Sequence, residues 1–455
     1  MEKQTASRYT GAFVSLTFLF FMWGFMTVLN DILIPYLRQA FQLNHAEAML
    51  IQFAFFMAYF LGSLLYFIVS VMRGDPINKM GYKKGIILGL VVSAAGALLF
   101  YPAAQFHLYG FFLSALFVMG LGFTLLQIAA NPYIAILGPS RSASARLNLA
   151  QGFNSLGTTI GPVVGGYLIF VFFKNASGAS AVQVPYLFFS LVFLLMALFI
   201  SFMPLPRFTG NETVQKGFGA LRFRQLRFGM LAIFMYVGGE VSIGSMMISY
   251  LHLPEIAGLS AAQASKYVAF YWGGQMIGRF LGAVSLSKMK NRRLKVALMV
   301  AVPLVAFGVI WLTSGLYTAW VYGIFLLLNL FVFFMGRSIP QKTLYLFAFV
   351  NIILLATALL NTGPLAMWSV IGIGLFNSIM WSNIFTLAID GLGRHTAQGS
   401  SLLVMMILGG AVLPLLMGVA ADAYGVHLAY AVPLVSYLYI AFYGINGYKP
   451  HKVLS

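Results

Sequence analysis

The chain has 455 residues, of which 61% are hydrophobic, 16% aromatic and only 8% charged. That is too little polar surface to clothe a soluble globule, so the protein belongs in a bilayer. Its formal net charge of +18 would suggest nucleic acid in a soluble protein, but all of the 27 Lys and Arg except Arg38, Lys174, Lys266 and Arg279 fall at the termini or in every second loop, which is the pattern of cytoplasmic loops and excludes that reading.

Apolar runs long enough to cross about 30 Å of hydrocarbon as helices recur along the whole chain, without the alternation of an outer-membrane barrel. The first begins after only ten residues, runs too long for a signal h-region and lacks a small-residue cleavage site, so it is expected to remain as a helix. Six spans are predicted at about 11–37, 46–70, 85–104, 108–137, 147–173 and 185–204, forming an N-terminal bundle over 1–204. A basic cytoplasmic linker, 205–228, follows. The rest, 229–455, carries eight spans, at about 229–253, 263–287, 295–314, 318–335, 343–361, 364–389, 400–422 and 427–447. The total is fourteen, with both termini cytoplasmic.

The halves echo one another. Tyr59-Phe60-Leu61-Gly62-Ser63 resembles Arg279-Phe280-Leu281-Gly282-Ala283, and the spacing Gly120, Gly122, Asn131 recurs as Gly372, Gly374, Asn383. Duplicated bundles with a helix pair inserted near 296–342 follow from this order.

Polar residues inside spans carry the functional reading. Asp31, in the first span, costs about 3 kcal/mol at a bilayer centre, so it is expected to face an internal pathway. Trp23, Thr27, Asn30 and Asp31 share one helical stripe, an aromatic plate with a hydroxyl, an amide and a carboxylate, suited to a sugar. Gln127 and Asn131 add amides one turn apart in the fourth span; Asn148, Gln151, Asn154, Ser155 and Thr158 form a polar face on the fifth. Such amides serve either a polyhydroxy substrate or helix-to-helix bonding. Glu240 is the second deep carboxylate, with Tyr236 one turn before it. Either it joins Asp31 in proton exchange or cation coordination, or it makes an interhelical bond. Arg279, the one basic residue deep in a span, is read as gating or structural, pairing with a carboxylate or snorkelling to the interface. Gln275, Trp381 and Asn383 complete the candidate sugar contacts, with core packing as the alternative for Trp381.

Enzyme signatures are missing. The nearest to a phosphate loop, Gly336-Arg337-Ser338-Ile339-Pro340-Gln341-Lys342-Thr343, lacks the glycine before lysine and joins two spans. Six scattered histidines and no cysteine argue against a metal site and exclude thiol chemistry. No catalytic residue, metal or cofactor is expected beyond a co-transported H⁺ or Na⁺.

The segments Phe21-Met22-Trp23-Gly24, Leu29-Asn30-Asp31-Ile32-Leu33-Ile34-Pro35, Ala129-Ala130-Asn131-Pro132-Tyr133, Arg146-Leu147-Asn148-Leu149-Ala150-Gln151-Gly152-Phe153-Asn154-Ser155, Tyr236-Val237-Gly238-Gly239-Glu240-Val241 and Gly374-Leu375-Phe376-Asn377-Ser378-Ile379-Met380 resemble the fucose/glucose/galactose symporter branch of the major facilitator superfamily, most closely its bacterial glucose/galactose transporters. The likeness covers nearly the whole chain except the stretch around 296–342. It implies an all-α polytopic fold of two pseudo-symmetric six-helix bundles, here with the inserted pair, around a midplane sugar cavity that opens to each side in turn. Under it, Asp31 matches a carboxylate implicated in proton coupling in the fucose symporter, Gln151 and Asn154 match cavity positions, and Trp381 takes the place of a cavity tyrosine. The resemblance departs at Gln127, which stands where that symporter has a functional glutamate, and at Glu240, where it has glutamine. The superfamily's loop signature appears as Gly74-x3-Asn78-Lys79-Met80-Gly81, with Asn78 replacing the usual Asp and weakening a gating ion pair.

The expectation is therefore a multi-pass bacterial inner-membrane transporter that imports glucose or galactose with H⁺ or Na⁺ by alternating access, working as a monomer, with a hexose and the lipid bilayer as its partners and no nucleic acid. Symport of another sugar such as fucose or N-acetylglucosamine is the alternative. A cation-driven drug exporter, disfavoured by the amide-rich stripes, and a sugar sensor without flux are the other classes.

Overall fold

The computed structural model describes residues 2–43, 45–137, 142–166, 182–203, 205, 218–287 and 289–450. Among the described residues the chain forms fourteen helical rods: α1 (Glu2–Phe41), α2 (His45–Arg73), α3 (Tyr82–Phe106), α4 (Tyr109–Ile136), α5 (Ala143–Gly166), α6 (Gln183–Phe202), α7 (Arg224–His252), α8 (Ala261–Ser285), α9 (Arg292–Ser314), α10 (Leu316–Gly336), α11 (Pro340–Leu360), α12 (Gly363–Ile389), α13 (Gln398–Tyr424) and α14 (Val426–Gly447). They match the fourteen predicted spans in order. Most run a few residues beyond the apolar stretch, because a helix entering the headgroup region keeps its backbone bonds while its side chains turn polar.

Eleven rods are long and apolar enough to cross a membrane, and α1 adds a shorter apolar stretch, Phe13–Val28. The two others, α5 and α8, are the rods that carry Asn148, Gln151 and Asn154, and Lys266, Gln275 and Arg279. Helices this polar are tolerated in a bilayer when their polar faces turn away from lipid.

Two compact units divide the chain. One holds Met1–Gly138, Leu156–Arg222 and Leu392–Leu408; the other holds Pro139–Ser155, Phe223–Gly391 and Gly409–Ser455. Both α5 and α13 thus contribute to each.

In the first unit α3 packs along α4 and α6, and α2 along α4. The α3–α4 crossing brings backbones together: a Cβ built on Gly89 would lie 2.8 Å from the Gly122 carbonyl oxygen, so only hydrogen fits. The α3 rod breaks at Leu99 between Tyr82–Leu98 and Phe100–Phe106, because Pro102 has no N–H for the Leu98 carbonyl.

In the second unit α11 packs along α12 and α14, and α8 along α12. The α11 rod thereby takes the packing role that α3 has in the first unit, which leaves α9 and α10 as the additional pair. The glycine echo holds in type but not in role. Gly120 faces Phe55 and Ala58 of α2, whereas Gly122 faces α3; on α12, Gly374 meets the Tyr271 backbone of α8 and Gly372 meets Phe325 of α10.

The predicted uniform span at 364–389 needs correction. The α12 rod is helical over Gly363–Asn377 and again over Met380–Ile389, with Ser378 and Ile379 in a turn between. No glycine or proline marks this interruption.

Candidate functional site

In the first unit, helices α1, α2 and α4 bring together Trp23, Tyr59, Gln127 and Asn131. Trp23 and Tyr59 are buried, and the Tyr59 hydroxyl lies near Trp23 and Gln127. Phe20 sits edge-on to Trp23 with centroids 5.5 Å apart, and Phe123 lies at 6.4 Å. Asn131 donates from Nδ2 to the Gln127 carbonyl at 3.1 Å and also to Gln127 Oε1. Three predicted contacts, Trp23, Gln127 and Asn131, thus meet in one cluster of aromatic face and amide, and Tyr59 joins them unpredicted. Thr27 leaves the stripe: its hydroxyl bonds its own helix at the Trp23 carbonyl, 2.9 Å. The side chains of Asn30, Asp31 and Asn78 lie outside the described residues.

Asp75, in the loop between Gly74 and Pro76, is buried. It accepts from the Tyr66 hydroxyl and from the Ile77 N–H at 2.8 Å, which caps the short helix Pro76–Met80 and fixes the loop to α2.

The second unit gathers the other polar set. On α7, Tyr236 donates to Glu240 Oε1 at 2.5 Å. Arg279 of α8 brings Nη2 to 3.9 Å from the same oxygen, with side chains 11% and 13% exposed. The guanidinium also donates from Nη2 to Gln275 Oε1 at 3.1 Å, from Nε to the Ser378 carbonyl at 3.1 Å, and from Nη1 to the Ser155 hydroxyl. Arg279 therefore pairs with a carboxylate and does not snorkel. Glu240 thus has a cationic partner in place, on the neighbouring helix α8. The residues at the interruption of α12 supply two further contacts: Ser378 O accepts from Arg279 Nε, and Asn377 O lies 3.2 Å from the Tyr236 hydroxyl.

Along α5, Gln151 is buried and Asn154 half-buried. Its first half lies against α8 through the Phe153–Phe280 ring contact, centroids 5.6 Å apart, and Ser144 meets Thr386 of α12 at 2.8 Å. Asn383 donates to the Pro340 carbonyl at 3.1 Å, tying α12 to the start of α11. Trp381 is buried and stacks on Phe385 at 5.0 Å. These two side chains make packing contacts that sequence alone cannot separate from ligand contacts. Among the described residues no three of His, Cys, Asp and Glu are grouped to hold a metal ion.

Residues 14–345 match the Major Facilitator Superfamily. The chain is 43% identical over 454 residues to the "Glucose/galactose transporter" of Brucella abortus strain 2308, covering 98% of this chain and 97% of that one. It is 39% identical to a "Putative glucose/galactose transporter" of Helicobacter pylori strain J99, covering 97% and 98%, and 32% identical to the "L-fucose-proton symporter" of Escherichia coli K12, covering 92% and 88%. The crystal structure of a major facilitator transporter, FucP, in the outward conformation superimposes with a TM-score of 0.74 at 31% identity, covering 96% of this chain and 99% of that one. This chain belongs to the Major Facilitator Superfamily and is a multi-pass membrane transporter.

Proposed function

We propose that the chain is a symporter importing glucose and galactose across the bacterial inner membrane, with H⁺ as the coupled cation. The observation that carries the sugar reading is the Trp23, Tyr59, Gln127 and Asn131 cluster, which offers a flat aromatic surface beside amide donors and acceptors, the chemistry of pyranose recognition. The names of the relatives at 43% and 39% identity support the hexose, and that of the fucose-proton relative supports the proton. In this reading Asn30, Gln151, Asn154, Gln275, Trp381 and Asn383 belong to the sugar pathway, Asp31 is the group that exchanges the coupled cation, and Glu240 with Arg279 forms the charged element of the second unit. The bundles 1–204 and 229–455, joined by the basic linker, act as the two moving halves, with both termini cytoplasmic.

Coupling requires that proton and sugar both favour the same transition between outward and inward states, since a ligand with equal affinity for both shifts nothing. The test is uptake of labelled sugars into proteoliposomes under separately imposed H⁺ and Na⁺ gradients. Uphill accumulation of glucose and galactose under the H⁺ gradient, lost in Asp31→Asn while counterflow persists, is the expected result. Accumulation driven by the Na⁺ gradient alone refutes proton coupling, and absence of flux under either gradient refutes symport.

A further inference from the structure

Asn377 is fully buried at the last helical residue before the α12 interruption, and its side chain uses both of its ends. Oδ1 accepts from the Tyr437 hydroxyl of α14 at 2.7 Å and from Asn351 Nδ2 of α11 at 2.9 Å; Nδ2 donates to the Tyr271 hydroxyl of α8 at 2.9 Å. The Tyr271 proton is committed to the Glu240 carbonyl at 3.0 Å, so the tyrosine oxygen must accept, and the amide can face it only with Nδ2. This amide therefore has one orientation. The chain of bonds runs from α11 and α14, through Asn377 and Tyr271, to the backbone of the residue that carries the carboxylate.

The same residue stands over the charged cluster by a second route. Its own carbonyl lies 3.2 Å from the Tyr236 hydroxyl and the next carbonyl, Ser378 O, receives Arg279 Nε at 3.1 Å. Tyr236 and Arg279 are the two groups that hold the Glu240 carboxylate. Both carbonyls lie at the turn of Ser378 and Ile379, and both meet side chains of other helices. A buried amide bonded on three sides is what keeps such a turn in one geometry.

We propose that Asn377 is a positioning residue for transport: its side chain holds the α12 interruption in the form that presents Asn377 O and Ser378 O to Tyr236 and Arg279, and so fixes the Tyr236–Glu240–Arg279 arrangement. The proposal rests on the reading that Glu240 and Arg279 take part in transport. A positioning role differs from a purely structural one in acting through Glu240, so it predicts that the effects of the two residues are not additive.

The experiment measures sugar counterflow in proteoliposomes, as KM, maximal rate and pH profile, for Asn377→Ala, Tyr437→Phe, Glu240→Gln and the Asn377→Ala/Glu240→Gln double variant. Tyr437→Phe removes one hydroxyl bonded to Asn377 and keeps the ring, so it remains informative if Asn377→Ala does not fold. The expected result is a maximal rate lowered about tenfold in Asn377→Ala with KM within about threefold. Tyr437→Phe and Asn377→Ala displace the pH profile in the direction seen for Glu240→Gln, and the double variant is no slower than Glu240→Gln alone. Folded Asn377→Ala, or Tyr437→Phe in its absence, with the wild-type profile beside an altered Glu240→Gln overturns the positioning role, as does a double variant in which the losses multiply. A Glu240→Gln protein with wild-type transport instead overturns the functional reading of the charged cluster, and the positioning role with it.

Discussion

Replacing Arg279 with Met is expected to destabilise the protein more than neutralising its partner. At the 3.9 Å separation of Arg279 Nη2 and Glu240 Oε1 the attraction is about 4 kcal/mol at an effective dielectric constant of about 20. Both side chains are nearly closed to solvent, so screening removes little of it. Arg279→Met leaves the Glu240 carboxylate with neutral neighbours such as the Tyr236 hydroxyl, and stranding one member of a buried pair costs about 3–5 kcal/mol. In Glu240→Gln/Arg279→Met the uncompensated charge is gone, and what remains is the loss of the bonds to Gln275, Ser155 and the Ser378 carbonyl, about 1.5–3 kcal/mol each for a charged donor, a loss that Arg279→Met alone suffers equally. The double variant should thus be more stable than Arg279→Met alone, with a coupling of about 2–4 kcal/mol across the cycle. Unfolding of purified protein titrated with SDS in mixed micelles, followed by tryptophan fluorescence, measures it. Additive costs, with a coupling below about 0.5 kcal/mol, would show that the two charges do not compensate each other.

Tyr59→Phe keeps the ring but removes the hydroxyl that meets Trp23 and Gln127, and should raise the KM for sugar counterflow about five- to tenfold, the value of one hydrogen bond of about 1–1.5 kcal/mol. Gly374→Ala pushes a methyl into the Tyr271 backbone, where no side chain can give way, so a loss of about 1–3 kcal/mol and of monodisperse protein on size exclusion is expected. Gly308→Ala on α9, with nothing within 4 Å of its Cβ position, should be neutral or stabilising by up to about 1 kcal/mol in the same assay. Ser260 caps α8 in a reciprocal box with Gln263, and Ser260→Ala should cost about 1 kcal/mol of SDS resistance.

The helices were legible because twenty apolar residues in a bilayer have one stable backbone solution, and the same physics made deep polar residues conspicuous. Trp23, Gln127 and Asn131, and likewise Glu240, Gln275 and Arg279, were found in this way, and each group does converge. Residue type could not say which partner each would choose. Asn383 sits in an apolar run as Gln127 does, yet its amide serves the Pro340 carbonyl. Tyr59 escaped notice because a tyrosine among phenylalanines reads as core until its hydroxyl is seen beside Trp23 and Gln127. Asp75 was hidden by its neighbours Gly74 and Pro76, which mark a loop but do not reveal that the loop folds its carboxylate inward. The α12 interruption was illegible for a related reason: Asn and Ser favour turns, but the same pair, Asn154-Ser155, lies inside the unbroken α5, and the break is stabilised by tyrosines and an arginine from three other helices.

The additional helix pair is explained by how unequally its members are used. Only 17% of the most apolar window of α9 is buried, against 89% for α12, so α9 presents its apolar side chains outward and disturbs little. The α10 rod does the opposite. Its Tyr322 hydroxyl donates to the Phe270 carbonyl of α8 at 2.9 Å and its Asn329 to the Leu375 carbonyl of α12 at 3.2 Å, while Phe325 fills the space left by Gly372. Both carbonyls lie within a few residues of the groups that surround Glu240: Phe270 precedes Tyr271, and Leu375 lies one turn before the α12 interruption. A helix that only thickened the lipid-facing wall would have no reason to bury an asparagine and a tyrosine against these two backbones, since each polar group placed there without a partner costs about 1–3 kcal/mol. The pair is therefore a brace: α10 ties α8 to α12 behind the charged cluster, and α9 carries the chain across so that α10 ends on the side from which α11 starts.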